Sequence, residues 1–192
     1  MKIEQDTYKV RPDKNIDLAK VTTTSGFKTF DKSELTELLA NDTQKIAKLQ
    51  YKLYAGNRQS LLIILQGIDG SGKDSTIRHI LSGVNPQGIM VYSFKHPSEE
   101  ELHHDFLWRH SIKLPKCGEI TIFNRSHYEN VLISRVHPQF VLAERLPGVE
   151  TIAKVDKDFW KMRYEQINRF EKNISQNGTQ ILKFYLHLSR DE

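Results

Sequence analysis

The chain has 192 residues, 38% hydrophobic and 27% charged, with 28 Lys and Arg against 24 Asp and Glu for a formal net charge of +4. These values fit one globular domain with a sizeable core and exclude a disordered or collagen-like chain. A lone Cys117 permits no internal disulfide, no apolar run reaches spanning length, and the opening MKIEQDTYKVRPDKN has no apolar leader core, so no membrane partner and a cytoplasmic location are expected.

Residues 1–30 carry Pro12, scattered charge and a TTTS cluster without periodicity, and read as an N-terminal arm. Residues 31–54 follow a helical rhythm through Leu35, Leu38, Leu39, Ile46, Leu49 and Leu53, a stripe expected to face the core. A buried strand over 61–66 then runs into a glycine-rich turn and a helix to about residue 82. The run IMVYSFK predicts a second strand over 89–95, and the spacing of Ser98 and Glu101 predicts a capping box opening a helix over 98–112. A third strand is expected over 120–123, a helix to about 136, a loop holding Pro138 and Pro147, a helix over 156–176 ended near Gly178, and a fourth strand over 179–188. Strands alternating with helices predict an α/β fold: a parallel sheet with helices on both faces. In such a sheet the ligand crevice lies beyond the carboxyl ends of the strands, where residues 67–74, 95–98, 124–129 and 189–192 should meet.

The chemistry concentrates in LLIILQGIDGSGKDSTIRHI, residues 61–80. Gly67, Gly70 and Gly72 let successive backbone N–H groups turn into one hollow at the start of a helix, and Lys73 adds a full positive charge, as in a phosphate-binding P-loop or Walker A element. Ser71 and Ser75 complete the cradle. Asp74 stands where Ser or Thr usually binds magnesium, so with Asp69 two carboxylates flank the cradle and Mg2+ is the expected cofactor, held by Asp69, Asp74 and Asn124. Phosphoryl transfer needs in-line positioning and positive charge, which Lys73 and Arg125 supply, while Asp69 holds the metal or orients the attacking oxygen; these three form the candidate catalytic set. Arg125 also reads as a surface ion pair. Glu129 reads both as a group near the nucleotide and as the partner of Ser126 in a second capping box, and Arg109 either reaches the crevice or faces solvent. His103 and His104 are adjacent on a helix, point about 100° apart and make no metal face. With no basic run in the sequence, no nucleic-acid partner is expected.

The runs LLIILQGIDGSGKDSTIRHI, NPQG, SFKHPSEEELHHDFLWRH, GEITIFNRSHYENVL with SRVHP, and VDKDFWKMRYEQINRFEKNISQNGTQILKFYLHLS together resemble the polyphosphate kinase 2 family, class III type, in the family's order. The resemblance implies a P-loop kinase fold related to thymidylate kinases and Mg2+-dependent transfer between inorganic polyphosphate and a nucleoside mono- or diphosphate, AMP or ADP. It aligns Asp69, Lys73 and Asp74 with the family's loop residues, Asn124 and Arg125 with its Walker B pair, and Glu129 with an acid beside nucleotide and metal. It also implies a dimer or tetramer, and a basic lid with further helices beyond LHLS, so residues 31–192 read as a kinase domain shortened before that lid. Two alternatives stay open: an ATP-dependent nucleoside monophosphate kinase, and a lid-less module that binds phosphate or nucleotide without turnover.

Overall fold

The computed structural model describes residues 8–11, 14–23 and 31–189, and of Lys32 the backbone only. Much of the expected N-terminal arm (1–7, 12–13 and 24–30), and residues 190–192 of the last segment expected at the crevice, lie outside the described residues. Four strands, β1 (Ser60–Gly67), β2 (Ile89–Ser93), β3 (Ile120–Asn124) and β4 (Thr179–Leu186), form one sheet in the order β2-β3-β1-β4. Every pairing is parallel, with Leu61 opposite Ile120 on one side and Ser60 opposite Thr179 on the other. All four strands therefore end at the same edge.

The helices are α1 (Lys32–Gly56), α2 (Lys73–Leu81), α3 (Glu99–Leu102), α4 (Trp108–Ser111), α5 (Glu129–Val136), α6 (Gln139–Leu142) and α7 (Lys157–Gln176). Side chains alternate across a strand, so β1 sorts its apolar residues to two faces. Leu62 and Ile64 pack with Phe123 and with Ile174 and Phe170 of α7. Leu65 packs with Ile122 and with Ile77 of α2, alongside Ile63, Leu53 and Leu81. Burying each such residue contributes about 1.5–3 kcal/mol, and the double-sided burial accounts for the nearly unbroken apolar character of β1 and β3. A third cluster beyond the sheet joins Val131, Val141, Phe159, Trp160 and Ile167, drawn from α5, α6 and α7. Within it Arg163 is 1% exposed, paired with Glu144 Oε2 at 2.8 Å and lying over the Phe106 ring at 3.9 Å.

Several elements depart from the sequence expectation. The α1 stripe does not face the core along its length: Leu35, Leu39 and Leu49 are exposed, while Gln50 is buried and donates to Gln87 O at 2.9 Å. A helix of 25 residues outruns an eight-residue strand, at about 1.5 Å per residue against about 3.3 Å. Only its later turns meet the sheet, where Leu53 joins the core.

The helix expected over 98–112 is two short ones. Ser98 and Glu101 do form the capping box of α3, but Asp105 accepts from the Leu107 N–H at 2.9 Å through its side chain and from Trp108 N–H at 3.0 Å through its carbonyl. That local turn competes with the helix and restarts the chain as α4. The region expected to be loop after residue 136 contains the single turn α6, and β2 and β4 end two residues earlier than expected.

Candidate active site at the strand ends

The parallel register places the ends of β1 and β3 side by side, with Leu65 opposite Asn124, so the loops after them share one crevice. After β1 the chain turns through Gly70 (φ 83°) and Gly72 (φ 78°), left-handed conformations that glycine adopts without a Cβ penalty. Ser71 N–H closes back on Ile68 O at 3.1 Å. Helix α2 then starts at Lys73, and the first N–H groups of a helix have no intrahelical acceptor, so they face the hollow as a positive pole. Gly67 has a different role: a Cβ there would lie 2.9 Å from Leu186 O and 2.6 Å from Ser71 Oγ, so the close approach of β1, β4 and the loop requires glycine.

Lys73 is buried, and its ammonium donates to Gly67 O at 2.7 Å and Ile68 O at 2.8 Å, bracing the loop. Asn124, the last residue of β3, donates Nδ2 to Asp74 Oδ1 at 2.6 Å and to Ser93 Oγ at 3.3 Å. Arg125, with φ 62°, turns its guanidinium to Asp69 and forms an ion pair with it, one of the two readings the sequence left open. Asp69, Gly70, Ser71, Gly72, Lys73, Asp74, Ser75, Asn124 and Arg125 line one cavity of about 590 Å³ with Ser93, Phe94 and Lys95.

A second cavity of about 600 Å³ abuts the first and shares Asp69, Phe94, Lys95 and Arg125 with it. Glu129 and Arg109 lie here instead of in the phosphate cradle, as does Gly67. The amide of Gln66 donates to Glu129 Oε1 at 2.9 Å and accepts from Ser126 Oγ at 3.0 Å, in the orientation that satisfies both ends. Ser126 Oγ also accepts from Tyr128 N–H at 3.2 Å, so the Ser126–Glu129 capping box does not form. Burial pushes the Glu129 carboxyl up from its ordinary pKa, while the positive charges of Arg125 and Lys73 oppose the shift. Arg109 is buried: it donates to Lys95 O at 3.0 Å, approaches Glu101 at 3.4 Å and sits 5.2 Å from the Phe94 ring centre. Apolar and aromatic groups, among them Phe106, Phe140, Leu132 and Ile133, complete this wall.

Behind the Asn124–Glu129 turn lies a polar cluster that the sequence did not reveal. Glu171 of α7 accepts from Tyr128 Oη at 2.6 Å, from Lys183 Nζ at 2.7 Å and from His127 Nε2 at 3.2 Å. Although burial alone would raise it, these three donors hold its carboxyl down at about 2, while burial and Glu171 push the Tyr128 phenol up to about 12. His127 is fully buried, out of reach of a phosphoryl donor. His103 and His104 take unrelated partners, Arg145 at 3.2 Å and the stacked Trp108 ring at 3.8 Å.

The side-chain oxygen of Asn124 and the carboxylates of Asp69 and Asp74 line the same cavity and form a hard-oxygen donor set, which suits Mg2+. Among the described residues no group of three His, Cys, Asp or Glu side chains converges on a metal position. The described residues thus offer two carboxylates and an amide, an incomplete shell of the sort Mg2+ accepts because it retains several waters.

A glycine turn between a buried parallel strand and a helix, with a lysine at its end and an Asn-Arg pair closing the crevice from the next strand, defines an α/β protein of the P-loop type. The model of the polyphosphate kinase 2 (PPK2) family matches residues 29–192, and the chain belongs to that family. It is 47% identical over 192 residues to an ADP-polyphosphate phosphotransferase of Rhodopseudomonas palustris, covering 100% of this chain and 65% of that one. It is 41% identical over 187 residues to an AMP/ADP-polyphosphate phosphotransferase of Meiothermus ruber, covering 96% and 64%. The crystal structure of polyphosphate kinase 2 from Arthrobacter aurescens TC1 superposes with a TM-score of 0.81 at 36% identity, covering 97% of this chain and 62% of that one. The chain spans just under two thirds of the length of these relatives. Among the described residues no helix is long and apolar enough to cross a membrane.

Proposed function

We propose that this chain transfers phosphoryl groups between inorganic polyphosphate and a nucleoside mono- or diphosphate, AMP or ADP, in a Mg2+-dependent reaction. The observation that carries the reading is the junction of two cavities at Asp69 and Arg125, one a phosphate cradle and the other larger in aromatic and apolar surface. The first N–H groups of α2 and the Lys73 ammonium bind phosphate oxygens. Arg125 leaves Asp69 to fork onto the transferring group, and Asp69, so freed, orients the acceptor oxygen. Asp69, Asp74 and the Asn124 carbonyl would hold Mg2+, which when bound neutralises charge shared by donor and acceptor phosphates. Glu129 and Arg109 position the nucleotide in the second cavity. The similarity to the Rhodopseudomonas ADP-polyphosphate phosphotransferase and the Meiothermus AMP/ADP-polyphosphate phosphotransferase supports polyphosphate and AMP or ADP as the substrate pair.

A dimer or tetramer belongs to the same proposal, supported by the apolar side chains of Leu35, Leu39 and Leu49 left exposed on α1. So does a cytoplasmic location, supported by the single, unpaired Cys117. The decisive assay supplies AMP or ADP with Mg2+ and either long-chain polyphosphate or ATP. Phosphorylation of the nucleotide from polyphosphate is expected, with Lys73→Ala and Asp69→Ala each abolishing it. ATP as the preferred donor would overturn the reading in favour of a monophosphate kinase, and binding without turnover in favour of a binding module.

A further inference from the structure

We propose that Lys95 is a further catalytic residue, setting its ammonium on the phosphoryl group as that group passes between the two cavities; this rests on the phosphotransferase reading above. Four residues line both cavities: Asp69, Phe94, Lys95 and Arg125. Of the charges at that seam, Asp69 and Arg125 neutralise one another. Lys73, the cation at the base of the cradle, spends two of its three N–H groups on the Gly67 and Ile68 carbonyls. The carboxylate of Glu101, which lines the second cavity, is paired with Arg109 at 3.4 Å. Among the described residues no hydrogen bond or ion pair engages the Lys95 ammonium.

The backbone that carries this free cation is fixed. Phe94 N–H donates to Asn124 O at 3.0 Å, and Lys95 O accepts from the buried Arg109 at 3.0 Å. The Phe94 ring is buried against His110 at 4.3 Å and Phe123 at 4.8 Å. The fixed backbone holds the Lys95 side chain where it lines both cavities, within reach of a group passing between them. In the step it serves, a phosphorus–oxygen bond of polyphosphate breaks, its electron pair staying on the departing chain one phosphate shorter. A new bond forms from an ionised oxygen of the nucleotide's terminal phosphate, so no proton has to move. Lys95 stays protonated and meets charge on the equatorial oxygens of the phosphoryl group, where a loose transition state carries it.

The test compares the wild-type chain with Lys95→Met and Lys95→Arg, measuring kcat with polyphosphate and with ATP as donor and, by calorimetry, Kd for the nucleotide and for polyphosphate. Lys95→Met should lower kcat by about 10²-fold while leaving each Kd within about threefold and the melting temperature unchanged, and Lys95→Arg should restore most of the rate. A fall in kcat of less than tenfold, or a loss confined to the dissociation constants, overturns the role of Lys95. A wild-type chain that turns over only with ATP overturns the donor assignment and leaves Lys95 to be judged by the same ratio in that assay. No wild-type turnover with either donor overturns both.

Discussion

Asn124 donates its amide to Asp74 across the mouth of the cradle at 2.6 Å, tying the end of β3 to the first turn of α2. An aspartate at position 124 would replace that donor with a second carboxylate. In Asn124→Asp one carboxyl of the pair is pushed up, because two charges at this separation resist joint ionisation. A carboxyl raised in the folded state binds its proton more tightly there, so stability is lost as pH rises above the ordinary carboxylate range. The variant should be about 1 kcal/mol less stable than wild type at pH 8, level with it near pH 4, and restored at pH 8 by millimolar Mg2+. Thermal melts across that range with and without the cation check this.

Gly67→Ala tests the packing under the cradle. Its Cβ would press on Leu186 O at 2.9 Å, a backbone atom of the neighbouring strand that cannot swing aside. Overpacking of this kind costs about 1–3 kcal/mol. Urea denaturation should show that loss, and calorimetry should show weakened phosphate binding, since the loop that carries Gly70 and Gly72 starts here.

His110 is 1% exposed; its Nδ1 donates to Phe106 O at 3.2 Å and its Nε2 has no partner among the described residues. Burial, with the nearby charges of His127 and Arg109, holds its pKa down at about 2. The unfolded chain takes up that proton near its ordinary value and the folded chain does not. The stability associated with neutral His110 is therefore complete above about pH 6.5 and falls by about 1.4 kcal/mol per unit as pH drops below it. His110→Gln removes this sensitivity. Urea titrations at pH 7.5, 6 and 5 should show the wild-type advantage over the variant shrinking with acidity, and a constant difference would refute the assignment.

Arg163 and Glu144 form a buried pair, 1% and 10% exposed at their side chains. Arg163 Nε and Nη1 have no hydrogen-bond partner among the described residues, and the guanidinium rests on the rings of Phe106 and Phe159. Removing one member leaves an uncompensated buried charge, at a cost of about 3–5 kcal/mol. Glu144→Gln alone should be strongly destabilised in urea, and Arg163→Met added to it should recover much of the loss. Additive losses in the double variant would show that the pair is not coupled.

The parts legible in the sequence were those set by local rules. The P-loop follows from glycine spacing and the residue after it, and the sheet from alternation of buried strands with helices. The capping box of α3 needs only Ser98 and Glu101, three residues apart. What the sequence concealed depends on contacts between distant segments. The apolar stripe of α1 looks like any buried stripe until the sheet proves too short to cover it, and the Asp105 turn outweighs a helical pattern that continues through it. The Glu171 hub unites α7, β4 and the turn after β3, with no signal in any one of them. Arg163 did leave a trace. It falls at helical spacing between Phe159, Trp160 and Ile167, on the apolar face of α7, where a charge must find a partner.

The pairing of Arg125 with Asp69 has a bearing on how tightly anions are held. Because a carboxylate already occupies the guanidinium, an arriving phosphate exchanges one ion pair for another and gains only the difference. Grip on any single phosphate is weakened in proportion, and release is hastened by the same carboxylate competing for its place.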